Sequence, residues 1–229
     1  MMKSRPLLWC AAAAAALCSA GALANVVVVK SFGPSARAYP PGKTLPVATK
    51  LKLQGGDVVT ILGPGTKQTL RGPGNFDTTQ VSLDTAASQR GRFAALRNTK
   101  VPHSPTVWDI DVTQSGKICV ANARQLQLWR PQSDEAESLE IRSADGRTEK
   151  LNWVSGKALA AWPASLPIKS GERYEIVSSQ RTDKSSVEVA VLSSAPLERV
   201  ATAQALIQNG CENQLDLLLA NTDKADEGK

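Results

Sequence analysis

Histidine is almost missing from this chain of 229 residues, because His103 is the single one. It has no second histidine with which to share a metal ion, and the proline-flanked setting "VPHSP" is a poor platform for a catalytic base. The C-x-x-C, S-x-x-K and G-x-S-x-G motifs of thiol and serine chemistry do not occur either. We therefore expect a protein that is not an enzyme and holds no cofactor or metal; an enzyme of unrecognised type is the least favoured alternative.

A phosphate-binding loop is also missing, although its residue types are present. Residues 55–76 read "GGDVVTILGPGTKQTLRGPGNF", and Gly42-Lys43-Thr44 lies upstream. Arg37 stands where the motif needs its first glycine, and Pro40 and Pro41 have no N–H to offer a phosphate. The two Gly-Pro-Gly triplets, 63–65 and 72–74, are therefore predicted to be the turns of β-hairpins.

Long apolar runs do not occur after the first 24 residues, so no transmembrane helix is expected there. Residues 1–24 combine Lys3 and Arg5, a short apolar stretch over 7–17 and the small-x-small site Ala22-Leu23-Ala24. This pattern predicts a secretory signal cleaved after Ala24 and a periplasmic protein without stable membrane insertion. A membrane anchor is the alternative.

Cysteine is scarce once the predicted signal is removed, because only Cys119 and Cys211 remain. Cys119 lies in the strand-like "KICV", and Cys211 lies on an apolar stripe that runs from Ile207 to Leu215. Two cysteines in an exported chain usually form a disulfide, which is the prediction here. The alternative is that both are small buried hydrophobic residues.

Acidic residues are scarce in the first part of the chain. Residues 25–105 contain 11 Lys or Arg against three Asp, whereas residues 106–229 contain 14 basic and 18 acidic side chains. This asymmetry predicts two units, the first of which faces an anionic envelope surface or an unknown envelope protein. The alternative is that the lysines only solvate a small β-domain. The candidate binding residues are Lys43, Lys50, Lys52, Lys67 and Arg71.

Aromatic residues make up 4% of the chain, and four tryptophans fall between residues 108 and 162. Each lies beside aliphatic residues in a strand pattern, which favours burial in a core. Trp162, at a strand end, is the expected exception and a candidate for stacking on sugars. The basic segment lacks an aromatic platform, so no nucleic-acid partner is expected.

The first unit is predicted over residues 25–97 as a basic β-rich domain. Its opening run of four valines, 26–29, indicates a strand buried on both faces. A short helix is expected from about Ala86, and residues 98–105 have the composition of a linker.

The second unit is predicted over residues 106–194 as a β-sandwich of short strands. A half-buried strand is expected over 108–112, where Asp109 and Asp111 lie on the solvated face and are not a catalytic pair. Asp145-Gly146 marks the clearest hairpin turn.

Apolar residues at helical spacing follow from Leu197 to Leu218. The helical segment is predicted over 195–220, with Ser194 as cap, Pro196 in the first turn and a break at Asn209-Gly210. We expect it to cover the sandwich, with residues 221–229 as a charged, frayed tail.

Residues 50–76, through Gly56-Asp57 and the strand 58–62, resemble the β-rich periplasmic domain of FecR-type proteins. The remainder resembles uncharacterised exported bacterial proteins. The chain lacks the cytoplasmic anti-sigma segment and the transmembrane helix of sigma-regulating FecR proteins, so the resemblance implies a sensing module alone. The expected fold is all-β, with a small FecR-like domain, an Ig-like sandwich and a helical C-terminal segment. The expected function is a non-enzymatic interaction or sensing module of the envelope; the alternative is a glycan-binding protein with exposed tryptophans.

Overall fold

The computed structural model describes residues 25–46, 48–64, 66–79 and 104–227. The predicted signal peptide, the predicted helix near Ala86 and most of the predicted linker lie outside these ranges. Strands predominate and two helices follow them, so the expectation of a mainly β fold is confirmed. No helix in the described ranges is both long and apolar enough to cross a bilayer.

The first β-unit contains six strands: β1 Asn25–Phe32, β2 Thr44–Pro46, β3 Lys50–Leu53, β4 Val58–Leu62, β5 Lys67–Arg71 and β6 Gly74–Asp77. Four of them form an antiparallel sheet in the order β2-β1-β4-β5, and β3 pairs with β6 in a second, two-stranded sheet. The hairpin turn after β4 and the corner before β6 lie where the Gly-Pro-Gly triplets predicted them.

The valine run in β1 is buried on both faces, as its composition predicted. Val26 and Val28 face a small core of the first unit, where they join residues of β2–β5 such as Val59. Val27 and Val29 face the opposite side and pack with helical residues from the end of the chain. This one strand therefore belongs to two separate hydrophobic cores.

Asp57 fixes the turn that precedes β4. Its carboxylate accepts hydrogen bonds from the backbone N–H of Ser35 (2.8 Å) and of Gln54 (2.5 Å). Burial raises the pKa of Asp57, but the hydrogen bonds from Ser35 and Gln54 outweigh burial and hold the pKa below its ordinary value. Gly33, at φ +100°, lies so close that a Cβ there would be 2.6 Å from the carboxylate. The Gly56-Asp57 motif therefore has a structural role.

The second β-unit contains eight strands: β7 Ile110–Asp111, β8 Gly116–Val120, β9 Gln127–Trp129, β10 Glu137–Ser143, β11 Thr148–Trp153, β12 Leu159–Ala161, β13 Arg173–Ser178 and β14 Ser185–Val191. They form a five-stranded sheet in the order β11-β10-β13-β14-β8 and a three-stranded sheet in the order β12-β9-β7. Residues from both sheets, among them Leu128 and Ile176, share one hydrophobic core.

Two local predictions in this unit have different outcomes. The hairpin β10–β11 turns at Asp145-Gly146 as predicted, with the N–H of Gly146 bonded to the carbonyl of Ser143. The strand predicted over 108–112 is wrong in extent, because only Ile110 and Asp111 are in β7. Asp109 and Asp111 bind the backbone N–H groups of Thr106 and Thr113, and these bonds turn the chain at both ends of β7.

The C-terminal segment forms two helices, α1 Arg199–Asn209 and α2 Glu212–Glu227, with the predicted break at Gly210 in the left-handed conformation. The predicted start is wrong. The chain remains outside the helix until Glu198, Leu197 is 98% exposed, and the carbonyl of Glu198 accepts the first helical bond from Thr202. α2 continues to Glu227, beyond the predicted end of the segment at residue 220.

The helices do not cover the sandwich alone, which corrects the predicted packing. α1 packs on β1 of the first unit, and α2 packs on β8 of the second unit and on β5 of the first. A third core therefore lies between the two units; it includes Val27, Val29 and Leu62 of the first unit and Leu206 and Leu219 of the helices. The prediction failed because the apolar outer face of β1 competes for the same helices.

Cys119 and Cys211 form the predicted disulfide, with an S–S distance of 2.00 Å. It joins β8 to the residue between the two helices. The side-chain amide of Gln214 adds to this link: its Oε1 accepts from the N–H of Cys119 (2.6 Å), and its Nε2 donates to the carbonyl of Cys119 (2.9 Å). α2 thereby satisfies part of the outer edge of β8, a strand at one end of its sheet.

Candidate interaction surface

Tyr39 organises two of the predicted basic residues. It follows a 3-10 turn, Pro34–Arg37, and its hydroxyl accepts a hydrogen bond from the backbone N–H of Lys52 (3.1 Å). The ammonium of Lys43 lies 5.4 Å from the centre of the tyrosine ring and donates to the carbonyl of Ala38 (2.6 Å). Cation–π attraction and this bond hold the ammonium of Lys43 over the ring of Tyr39. Sequence analysis did not identify Tyr39, whose only signal is its position just before "PPGK".

Lys50 and Lys52 lie on the solvent face of β3, because Leu51 and Leu53 occupy the alternating buried positions. Asp77 of β6 is the cross-strand neighbour of Lys50. Hydrogen bonds from Thr79 are the main reason that the pKa of Asp77 lies below its ordinary value, and Lys50 adds a smaller Coulombic effect. We call Tyr39, Lys43, Lys50 and Lys52 the basic face.

The structure separates Lys67 and Arg71 from the basic face. Both alternate with Leu70, which points into the core of the first unit, so they lie on the side of the four-stranded sheet that faces the helices. The ammonium of Lys67 lies 3.4 Å from the carbonyl of Leu219 in α2. The five predicted residues therefore do not form one patch.

Asp77 is a cross-strand neighbour of Lys50, but no described carboxylate lies within ion-pair distance of a lysine of the basic face. In the described part of the chain, no ion pair within 4.0 Å is formed by Lys43, Lys50, Lys52 or Arg71. Lys30 does form one, with Asp216 of α2 at 2.6 Å. Among the described residues, Lys30 is therefore ion-paired, whereas Lys43, Lys50 and Lys52 are not.

Three of the four tryptophans of the second unit are buried. Trp129 and Trp153 are 4% and 2% exposed, so the predicted burial is confirmed for these two, whereas Trp108 is half-buried. Trp162, the predicted exception, is buried too: its indole N–H donates to the carbonyl of Leu166 (2.6 Å), and its ring meets Tyr174 edge to face at 5.1 Å. The expectation that Trp162 is exposed is therefore wrong, and its ring is not open for stacking on a sugar.

A buried ion pair lies beside Trp153. The guanidinium of Arg130 contacts Glu137 at 3.2 Å, donates to the carbonyls of Val154 and Lys157, and lies 4.9 Å from the centre of the Trp153 ring. Glu137 also accepts a short hydrogen bond from Ser178. Every charged group in this network has partners, so it fixes a loop against β10 and leaves no charge for a ligand.

The side chains considered for chemistry have structural roles or lie outside the described residues. Cys119 and Cys211 are joined in the disulfide, and His103 lies outside the described ranges. No group of three or more potential metal ligands forms within those ranges. Comparisons with protein-family models, curated proteins and solved structures found no match to this chain.

Proposed function

We propose that this protein is an exported, non-enzymatic interaction module of the bacterial cell envelope, and that its basic face binds an anionic envelope surface. The observation that carries the proposal is that Lys43, Lys50 and Lys52 of the basic face form no ion pair within 4.0 Å among the described residues. A folded unit with an unpaired positive surface attracts anions at long range. Residues 1–24, with the pattern of a secretory signal, support the exported location.

The finer fold assignment is part of the same proposal. We infer a FecR-like first unit from residues 50–76 and an Ig-like second unit. The second assignment is supported by Tyr174, near the start of β13, whose hydroxyl donates to the carbonyl of Pro167 (2.9 Å). A tyrosine that bonds to the backbone a few residues upstream is a recurring feature of Ig-like sandwiches. Burial raises the pKa of this hydroxyl to about 12, so it remains a donor at neutral pH.

Glycan binding through tryptophan is the weaker alternative, because the three buried tryptophans offer no open ring for stacking. Quenching by acrylamide compares the two functions directly. The proposed function predicts blue-shifted tryptophan emission that acrylamide quenches poorly, whereas a glycan platform requires readily quenched tryptophans.

The decisive experiment is binding of the full mature chain to vesicles that contain phosphatidylglycerol. An anionic membrane attracts each nearby lysine by about 1 kcal/mol, so K43Q/K50Q/K52Q should weaken binding roughly a hundredfold. Binding should also fall steeply as salt is added.

The matched control is K150Q/K157Q/K184Q, which removes three exposed lysines from the second unit. It should bind nearly as well as the parent protein. Binding that is absent, that ignores salt, or that falls equally in both variants would show that the basic face is only a solvated surface.

A further inference from the structure

A cleft of about 430 Å³ lies between α2 and the outer face of the three-stranded sheet in the second unit. It is separate from the basic face, which lies on the first unit. Carboxylates and apolar side chains line it together: Asp109, Asp111 and Asp216, with Trp129, Pro131 and Leu217. We call it the acidic cleft.

The sheet register explains why Trp129 and Asp111 share this cleft. In the parallel pair β7–β9, Ile110 is matched with Leu128 and Asp111 with Trp129. Ile110 and Leu128 point into the core between the sheets, so the alternate residues Asp111 and Trp129 project from the outer face. Trp129 is absent from the described hydrophobic cores although it is 4% exposed. Its cover comes from the walls of the cleft.

Trp129 also brings an unused hydrogen-bond donor to the cleft. Its indole N–H donates to no group in the described part of the chain, and it is not among the atoms sealed from solvent. Because this N–H is open to solvent, a ligand in the cleft that carries an acceptor, such as a carbonyl oxygen, can bind it.

The cleft carries uncompensated negative charge. Asp109 accepts hydrogen bonds from the hydroxyl of Ser104 (2.8 Å) and the N–H of Thr106. Asp111 accepts from Thr113 and Gln114. All of these donors are neutral, and neither carboxylate forms an ion pair with a described residue. Asp216 differs, because it pairs with Lys30 at 2.6 Å.

We propose that the acidic cleft binds a lysine or arginine side chain presented by an extended segment of a partner protein. Such a side chain has an aliphatic stem, which suits Pro131 and Leu217, and a cationic head, which suits Asp109 and Asp111. The backbone of the segment offers a carbonyl oxygen to the indole N–H of Trp129.

The test uses a short, otherwise neutral peptide with one arginine, and the same peptide with citrulline in its place. Citrulline keeps the shape and removes the charge. Titration of the full mature chain, followed by tryptophan fluorescence, should show at least tenfold tighter binding of the arginine peptide. The peptide should also bind better than agmatine, a free alkylguanidinium, because agmatine has no backbone.

Variants locate the site. D109N/D111N keeps acceptor oxygens for the turns and removes both charges, so it should weaken arginine-peptide binding about tenfold. D134N/E135Q removes two charges from an exposed loop outside the cleft and should have no effect. A220F should block the cleft sterically, since Ala220 lines it on α2. Circular dichroism verifies that each variant is folded.

Three results would overturn the inference: equal binding of the arginine and citrulline peptides, equal loss in D109N/D111N and D134N/E135Q, or agmatine binding as tight as the peptide. The last result would assign the cleft to small cations. The basic-face variant K43Q/K50Q/K52Q should leave peptide binding unchanged, so failure of the proposed function and failure of this inference can be distinguished.

Discussion

The two β-units differ in how many of their basic side chains form ion pairs. In the second unit, eight of the twelve Lys and Arg between residues 104 and 199 form ion pairs within that unit. In the first unit, the lysines of the basic face have no such partner among the described residues. The second unit also has a large core of its own, whereas the first shares part of its interior with the helices. The comparison indicates that the charged residues of the second unit mainly stabilise its fold, whereas the lysines of the basic face in the first unit do not.

Removing the disulfide tests the dependence of the first unit on the helices. C119S/C211S opens a loop of 92 residues, which in the chain-entropy model lowers the free energy of unfolding by roughly 4–5 kcal/mol. Because the helices belong to a core shared by both units, both should lose stability in urea, and the first unit should lose more because it has the smaller core of its own. A loss of stability confined to the second unit would contradict the dependence of the first unit on the helices. A thiol count on the denatured, unreduced parent protein should give no reactive thiol in the mature chain.

Breaking the buried ion pair tests the claim that charge in the second unit is structural. R130M leaves Glu137 buried without its cation, and such a loss costs about 3–5 kcal/mol. R147M removes an exposed pair with Asp145 and should leave the urea midpoint unchanged. Equal midpoints for R130M and the parent protein would contradict the structural role of the pair.

The helix–strand contact provides a sharper test of the shared core. Leu206 is fully buried against β1, so L206A should lower the free energy of unfolding by about 2–5 kcal/mol. L197A, nine residues earlier and 98% exposed, is the matched control and should have no effect. Amide hydrogen exchange in L206A should rise in β1 and β4 more than in β10 and β13. Equal increases in all four strands would show that the two units are one cooperative block.

Acid should have the smallest effect on stability. It should weaken the ion pairs of the second unit and so reduce the difference in ion pairing between the two units. Hydrogen bonds from Lys184 and Lys117, respectively, hold the pKa values of Glu175 and Glu188 below their ordinary value of 4.5. Their stabilising contribution is complete above that value and is lost as pH falls through the lower folded pKa values. E175Q/E188Q should therefore be slightly less stable than the parent at about pH 7, and the difference should narrow as the pH falls below about 4.5. A stability gap that does not change with pH would contradict the assignment.

Sequence reasoning was most successful where local patterns decide the structure. The valine run, the Gly-Pro-Gly turns, the Asp145-Gly146 hairpin and the break at Gly210 all follow from periodicity or backbone conformation. The pairing of Cys119 with Cys211 followed from their number alone. The packing of α1 on β1 was missed, because nothing local shows which of two apolar surfaces a helix will cover.

The candidate sites were harder to predict for the same reason. Lys50 and Lys52 share a face because of strand alternation, which is readable in the sequence. The division between them and Lys67 depends on which sheet each strand joins. Trp162 was misassigned because its buried state depends on a carbonyl four residues later and on Tyr174. The acidic cleft depends on the parallel pairing of β7 with β9. Parallel strands are not joined by a tight hairpin turn, so the sequence contains no local motif that identifies them as partners.

The core shared by β1 and the helices also determines when during synthesis β1 can become fully buried. β1 is synthesised before the helical residues that cover Val27 and Val29, because it precedes them in the chain. Until residues 199–219 are made, one face of this four-valine strand is exposed to water and can adhere to other apolar surfaces. A chain that stalls or is cleaved near its C-terminal end therefore loses the interior of its N-terminal end. β1 therefore reaches its buried state only after α1 and α2 have been made and have packed on it.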